Sequence, residues 1–150
     1  MGLLDAATEA YLEQFRRELE ESGYADLRPT HGCVFRFVRE DGMRLTELAT
    51  HADMTKQSAG ELVDDLVDLG YVQRVPDPED RRAKLICLTE KGIQAQRVGF
   101  GLIDEIEDRW AERFGSERIG DLREILEQIV MDFAPHAAPE LASREPVSVA

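Results

Sequence analysis

Positive charge is scarce in this sequence: 18 Lys and Arg stand against 31 Asp and Glu in 150 residues, a formal net charge of −13. Taken alone, the deficit speaks against nucleic acid, because phosphate neutralisation supplies much of the affinity of any DNA binder. Other scarcities exclude further classes. Two cysteines, Cys33 and Cys87, at no metal-ligand spacing, exclude a disulfide framework and fit a reducing compartment. Six prolines and eleven glycines exclude collagen-like and low-complexity chains. No run approaches 18 apolar residues, so no membrane partner is expected. The start, Met1-Gly2-Leu3-Leu4-Asp5, lacks the basic and apolar regions of a secretory signal, and the expected location is cytoplasmic. There is no Gly-rich phosphate loop, nucleophile elbow or His-Glu-x-x-His, so neither an enzyme nor a cofactor is expected. His31-Gly32-Cys33, with His51 and His136 far off in sequence, supplies no metal-ligand set.

What is present is periodicity. With 43% apolar and 33% charged residues, the chain has the composition and length of one globular domain. Leu4, Ala7, Tyr11, Phe15 and Leu19 recur at helical spacing, which predicts a helix over 3–22 ended by Gly23. After Pro29, the run Val34 to Val38 predicts a short buried helix closed by Asp41-Gly42. A third short helix carries Leu45, Leu48 and Ala49, with its cap at Thr46 or the residue before it. Thr55 caps a fourth, whose stripe is Ala59, Leu62, Val63, Leu66 and Leu69 and whose stop is Gly70. Two helices this close form a helix-turn-helix candidate.

Tyr71 to Val75 and Ala83 to Leu88 are β-rich runs around a polar tip, Pro76 to Arg82, and predict a hairpin with an exposed loop. Thr89 caps a long helix reaching Phe114, and a last helix follows Gly115-Ser116 with a wide apolar stripe from Ile119 to Phe133. From Pro135 the chain is aperiodic and is expected to be disordered. The terminal helices carry more apolar surface than so small a middle covers, which predicts a symmetric dimer.

The order helix, turn, helix, hairpin is that of a winged helix-turn-helix, and the stretch Leu45 to Gly92 resembles the MarR family of bacterial transcriptional regulators. The resemblance rests on Leu45-Thr46-Glu47-Leu48-Ala49 and on Leu66-Val67-Asp68-Leu69-Gly70-Tyr71-Val72-Gln73-Arg74. It rests above all on Asp77-Pro78-Glu79-Asp80-Arg81-Arg82 followed by Leu88-Thr89-Glu90-Lys91-Gly92. It implies a mainly α fold with a small β-hairpin wing and N- and C-terminal dimerisation helices. One domain would span 1–134, with a winged core at 28–91, dimerisation helices at 3–22 and 90–134, and the tail 135–150 outside it.

Double-stranded DNA is then the expected partner of a homodimer acting as a repressor. Thr55, Lys56, Gln57 and Ser58 would meet base edges and phosphates in a major groove, and Gly60 would allow close backbone approach. Arg81 and Arg82 lie on a loop stiffened by two prolines, as a minor-groove contact requires. In the family an Asp-x-Arg pair orients the arginine, which carries over to Asp80 and Arg82. Arg74 and Lys84 would touch the DNA backbone. The resemblance also implies a small aromatic or phenolic effector, for which Tyr11, Phe15, His31, Phe35 and Phe100 are candidates; ordinary core aromatics are the competing explanation. Two alternatives to the ligand-responsive repressor are an acidic winged-helix interaction module that does not bind DNA and a thiol-based redox regulator using Cys33 or Cys87.

The charge deficit is unevenly spread. Residues 1–27 carry 2 basic and 7 acidic side chains, residues 28–91 carry 10 and 12, and residues 92–150 carry 6 and 12. The segment expected to read DNA is close to neutral.

Overall fold

The computed structural model describes residues 2–39, 41–80 and 82–133, so the expectations for Arg81 and for the tail from Pro135 lie outside the described residues. Helix α1 (Leu3–Glu21) is followed by a 3-10 turn (Pro29–His31) and α2 (Gly32–Phe37). Strand β1 (Met43–Arg44) leads into α3 (Leu45–His51), and α4 (Lys56–Asp68) into the strands β2 (Val72–Pro76) and β3 (Lys84–Leu88). Helices α5 (Glu90–Phe114) and α6 (Ser116–Phe133) complete the chain. Contacts divide it into two compact units, one ending at Ile106 and the other beginning at Glu107.

The first unit is a winged helix-turn-helix. Its core joins Leu19 of α1 and Val34, Phe35 and Phe37 of α2 to Leu48 of α3 and Val63 and Leu66 of α4. Tyr71, Ile86 of β3 and Leu102 of α5 also belong to it. The sheet order is β1-β3-β2, antiparallel throughout, with Arg74 opposite Ile86 and Pro76 opposite Lys84. Two local expectations are corrected. Pro76 pairs in the strand, so the tip is 77–83 rather than 76–82. The cap of α3 is Arg44, whose backbone N–H donates to Glu47 Oε2 at 3.0 Å, one residue before the expected range. Strand β1 was not anticipated: two residues pairing with β3 carry no alternation to detect.

Three helix ends set the geometry of the reading segment. Thr55 Oγ1 accepts the Ser58 N–H at 3.1 Å and starts α4. Gly70, at φ +79°, ends it, with the Tyr71 N–H returned to the Leu66 carbonyl at 2.9 Å. Thr89 then starts α5, accepting the Gly92 N–H at 3.1 Å, while its own N–H donates to the Tyr71 carbonyl at 3.0 Å. Tyr71 is thereby fixed where α4, β2 and α5 meet. Its hydroxyl donates to Asp26 Oδ1 at 2.6 Å, and the Lys91 ammonium sits 3.9 Å from its ring centroid. Gln96 of α5 donates to the Phe35 carbonyl at 2.6 Å, which satisfies the end of α2.

The second unit holds the end of α5 and α6, joined through Gly115 at φ +98° and by an ion pair between Arg123 and Glu107. No residue of α6 is buried, and Leu122, Ile125, Ile129, Met131 and Phe133 are exposed. Among the described residues no helix is long and apolar enough to cross a membrane.

Candidate nucleic-acid interface

The first turn of α4 is anchored from inside and open outward. Ala59, Val63 and Leu66 are buried, whereas Lys56, Gln57 and Glu61 are exposed on the opposite side. The hydroxyls of Thr55 and Ser58 bond to each other at 2.9 Å, so both are partly engaged in the cap. Gln57 Nε2 donates to Glu61 Oε1 at 3.1 Å, leaving its carbonyl oxygen to accept from a base edge. Glu61 was absent from the expected site. It lies one turn from Gln57, and a carboxylate there can accept from a cytosine amino group. At Gly60, a Cβ would sit 3.7 Å from Leu45 Cδ2 of α3, an ordinary van der Waals contact.

The charges are already partly paired. Arg74 of β2 donates to Asp64 of α4 at 2.5 Å, joining the wing strand to the recognition helix. Arg44 Nε and Nη2 reach Asp77 Oδ2 at 2.8 and 2.6 Å. Lys56, Lys84 and Arg82 make no hydrogen bond through their side chains and no ion pair among the described residues. Of the expected contacts that the structure describes, these three cations are the ones left available to phosphate. Asp80 meets Arg82 through the main chain, its Oδ1 accepting the Arg82 N–H at 3.0 Å. Arg44 and Asp77 were also absent from the expected site. The spacing Asp77-Pro78-Glu79 signals a local turn, and Asp77 Oδ1 does accept the Glu79 N–H at 2.8 Å. Nothing local announces Arg44, 33 residues away.

The effector candidates are differently placed. Phe35 is buried edge-on against Tyr71, with ring centroids 5.8 Å apart, and Phe15 packs on the core, 3.7 Å from where a Cβ on Gly99 would stand. Tyr11 and Phe100 are half-buried. His31 is 1% exposed. Its Nδ1 accepts the Arg28 N–H at 3.1 Å, its Nε2 lies 3.1 Å from Arg28 Nη2, and the Asp65 carboxylate is 3.9 Å away. Burial and the Arg28 guanidinium hold this imidazole below its ordinary pKa of 6.5, against the opposing pull of Asp65 and Asp26.

A histidine with a depressed folded pKa adds stability that is complete above its unfolded pKa and is lost as pH falls through 6.5 toward the folded value. The melting temperature of the parent should therefore drop between about pH 7 and pH 5. His31→Gln should flatten that slope even if it lowers stability throughout. An unchanged slope would show that other groups set it.

Burial pushes both the Cys33 and Cys87 thiols up from their ordinary values. A thiolate sensor needs the opposite shift. Among the described residues no three His, Cys, Asp or Glu side chains cluster as metal ligands.

The chain was compared with known proteins. The sequence model of the MarR family matches residues 25–83. The HTH-type transcriptional regulator PetP of Rhodobacter capsulatus is 29% identical over 115 residues, covering 76% of this chain and 68% of that protein. The crystal structure of the transcriptional regulator PA4135 is 31% identical, covers 86% of this chain and 96% of its own, and superposes with a TM-score of 0.66. The repressor CouR bound to a 23-mer DNA duplex is 26% identical over 85% of this chain and 89% of its own, with a TM-score of 0.69. CouR from Rhodococcus jostii RHA1 has also been solved bound to p-coumaroyl-CoA, at 25% identity, covering 88% of this chain and 90% of its own, with a TM-score of 0.67.

Proposed function

The chain belongs to the MarR family of DNA-binding, non-enzymatic transcriptional regulators, and from that premise we propose that it is a homodimeric repressor of a pseudo-palindromic operator. Each subunit presents Thr55, Lys56, Gln57 and Ser58 to a major groove, Arg81 and Arg82 to the flanking minor groove, and Arg74 and Lys84 to the backbone. Half-sites lie about one helical turn apart. The observation that carries the reading is the pattern of pairing. Arg44 and Arg74 are neutralised within the fold, while Lys56, Arg82 and Lys84, on the recognition helix and wing, have no partner among the described residues. An acidic interaction module has no need to keep cations unpaired at those places.

The exposed apolar side of α6 supports pairing of two copies, since patches of this kind mark association surfaces. The likeness to CouR, solved with p-coumaroyl-CoA, supports an aromatic or phenolic effector that shifts the spacing of the two recognition helices. His31 and Phe35 are buried in this state, so they would contribute by transmitting such a shift rather than as an open lining.

The direct test is selection of duplexes from a random pool, followed by mobility-shift titration across salt. With so few unpaired cations, log K should fall against log salt with a modest slope for a dimer. A slope near zero, or failure to enrich any sequence, would overturn the reading. Addition of p-coumaroyl-CoA or free aromatic acids should release the selected duplex if the effector class is right.

A further inference from the structure

We propose that Arg44 and Asp77 are a positioning pair that aims the wing at DNA: the ion pair between half-buried Arg44 and buried Asp77 ties the root of the wing tip to the cap of α3. The inference rests on the DNA-binding reading above but assigns residues outside it. Asp77 and His31 are the two buried polar side chains among the described residues, and Asp77 is 5% exposed. Each of its oxygens is engaged. Oδ2 takes Nε and Nη2 of Arg44 at 2.8 and 2.6 Å, and Oδ1 takes the Glu79 N–H at 2.8 Å. Arg44 is itself held twice, by strand pairing opposite Leu85 and by capping α3 through Glu47. Its main chain is therefore anchored, and its half-buried side chain reaches from that anchor to Asp77.

Beyond the last strand pair, Pro76 with Lys84, the tip is held by few bonds. Asp77 N–H donates to the Ala83 carbonyl at 3.1 Å, Ala83 N–H to the Asp80 carbonyl at 2.8 Å, and Arg82 N–H to the Asp80 carboxylate. These close the loop on itself. Among the described residues, the Arg44 bond is the one by which the tip reaches the start of α3, so it sets the direction in which Arg82 leaves the protein. Neither Arg44 nor Asp77 belongs to the apolar core, so breaking the pair should redirect the tip without dissolving the fold.

Charge and position make opposite predictions here. Asp77→Asn removes a negative charge and frees Arg44, which on electrostatics alone tightens DNA binding and raises the salt slope. If the pair aims the wing, the same change weakens binding, because Arg82 then leaves the groove for part of the time. Asparagine keeps the acceptor for the Glu79 N–H, so the local turn is preserved.

The experiment measures affinity for a duplex that the parent protein has selected, using Asp77→Asn and Arg44→Gln alone and combined with Arg82→Ala, and thermal melting of each variant. Each single change should lower affinity at least about fivefold, the lower end of what a lost groove arginine costs. Each should have little further effect once Arg82 is alanine. Equal or tighter binding by Asp77→Asn, or an equal loss in the Arg82→Ala background, would overturn the positioning role while leaving the DNA-binding reading intact. A parent that selects no duplex overturns both.

Discussion

Gly92→Ala is expected to be the most damaging single substitution in the first unit, lowering stability by about 3 kcal/mol or more. A Cβ built at Gly92 would lie 2.0 Å from the carbonyl oxygen of Tyr71 and 3.1 Å from its carbonyl carbon. Both are main-chain atoms, so no rotamer change relieves the overlap. The displaced carbonyl is the one that accepts the Thr89 N–H, so the cap of α5 and the start of β2 must move together. In thermal melting the loss should appear as a fall of about 10 °C or more. Gly101→Ala, on the same helix with nothing within 4 Å of the added carbon, is the control and should be neutral or slightly stabilising from helix propensity. Equal melting temperatures for the two variants would refute the packing argument. The glycine of the Leu-Thr-x-x-Gly run thus has a physical reason: the helix after the wing starts against the backbone that precedes the wing.

The second large effect falls on binding. Arg82→Ala should weaken affinity for a selected duplex by about 1–3 kcal/mol, roughly 5- to 150-fold, with unchanged melting because the guanidinium makes no hydrogen bond or ion pair among the described residues. Lys56→Ala should instead weaken all duplexes alike and reduce the salt slope by about one, as expected of a phosphate contact. Arg74→Ala should cost less than either, since its charge is already matched by Asp64. If Arg82→Ala binds as the parent does, the wing does not touch DNA.

The net charge of −13 therefore describes the whole chain poorly. The winged segment is close to neutral, and within it acidic groups cancel cations in places that serve architecture. Under the proposed function, affinity rests on a small number of well-directed contacts, and the aim of Arg82 would then carry weight that it would not in a basic protein.

The parts legible in the sequence were those written locally. The 3.6-residue spacing of Leu4 to Leu19 predicted α1 over 3–22, and it spans Leu3–Glu21. Thr55 and Gly70 marked the ends of α4 because capping chemistry is local. What escaped the sequence was set by partners distant in the chain. Strand β1 exists because β3 comes to lie beside it, and Arg44 meets Asp77 only after the hairpin folds back. His31 was a candidate effector contact with a core role as the alternative; its partners Arg28 and Asp65, the second 34 positions away, were not legible.

Helix α6 buries none of its own residues, and most of a helix's stability in a protein comes from packing its apolar face. Under the proposed pairing, its order is governed by mass action: dilution below the dimer dissociation constant should fray α6 before the winged core opens. The protein's abundance then becomes a control variable in its own right. Cooperative occupancy of an operator would switch on over a narrow range of concentration, with no effector needed to set that threshold.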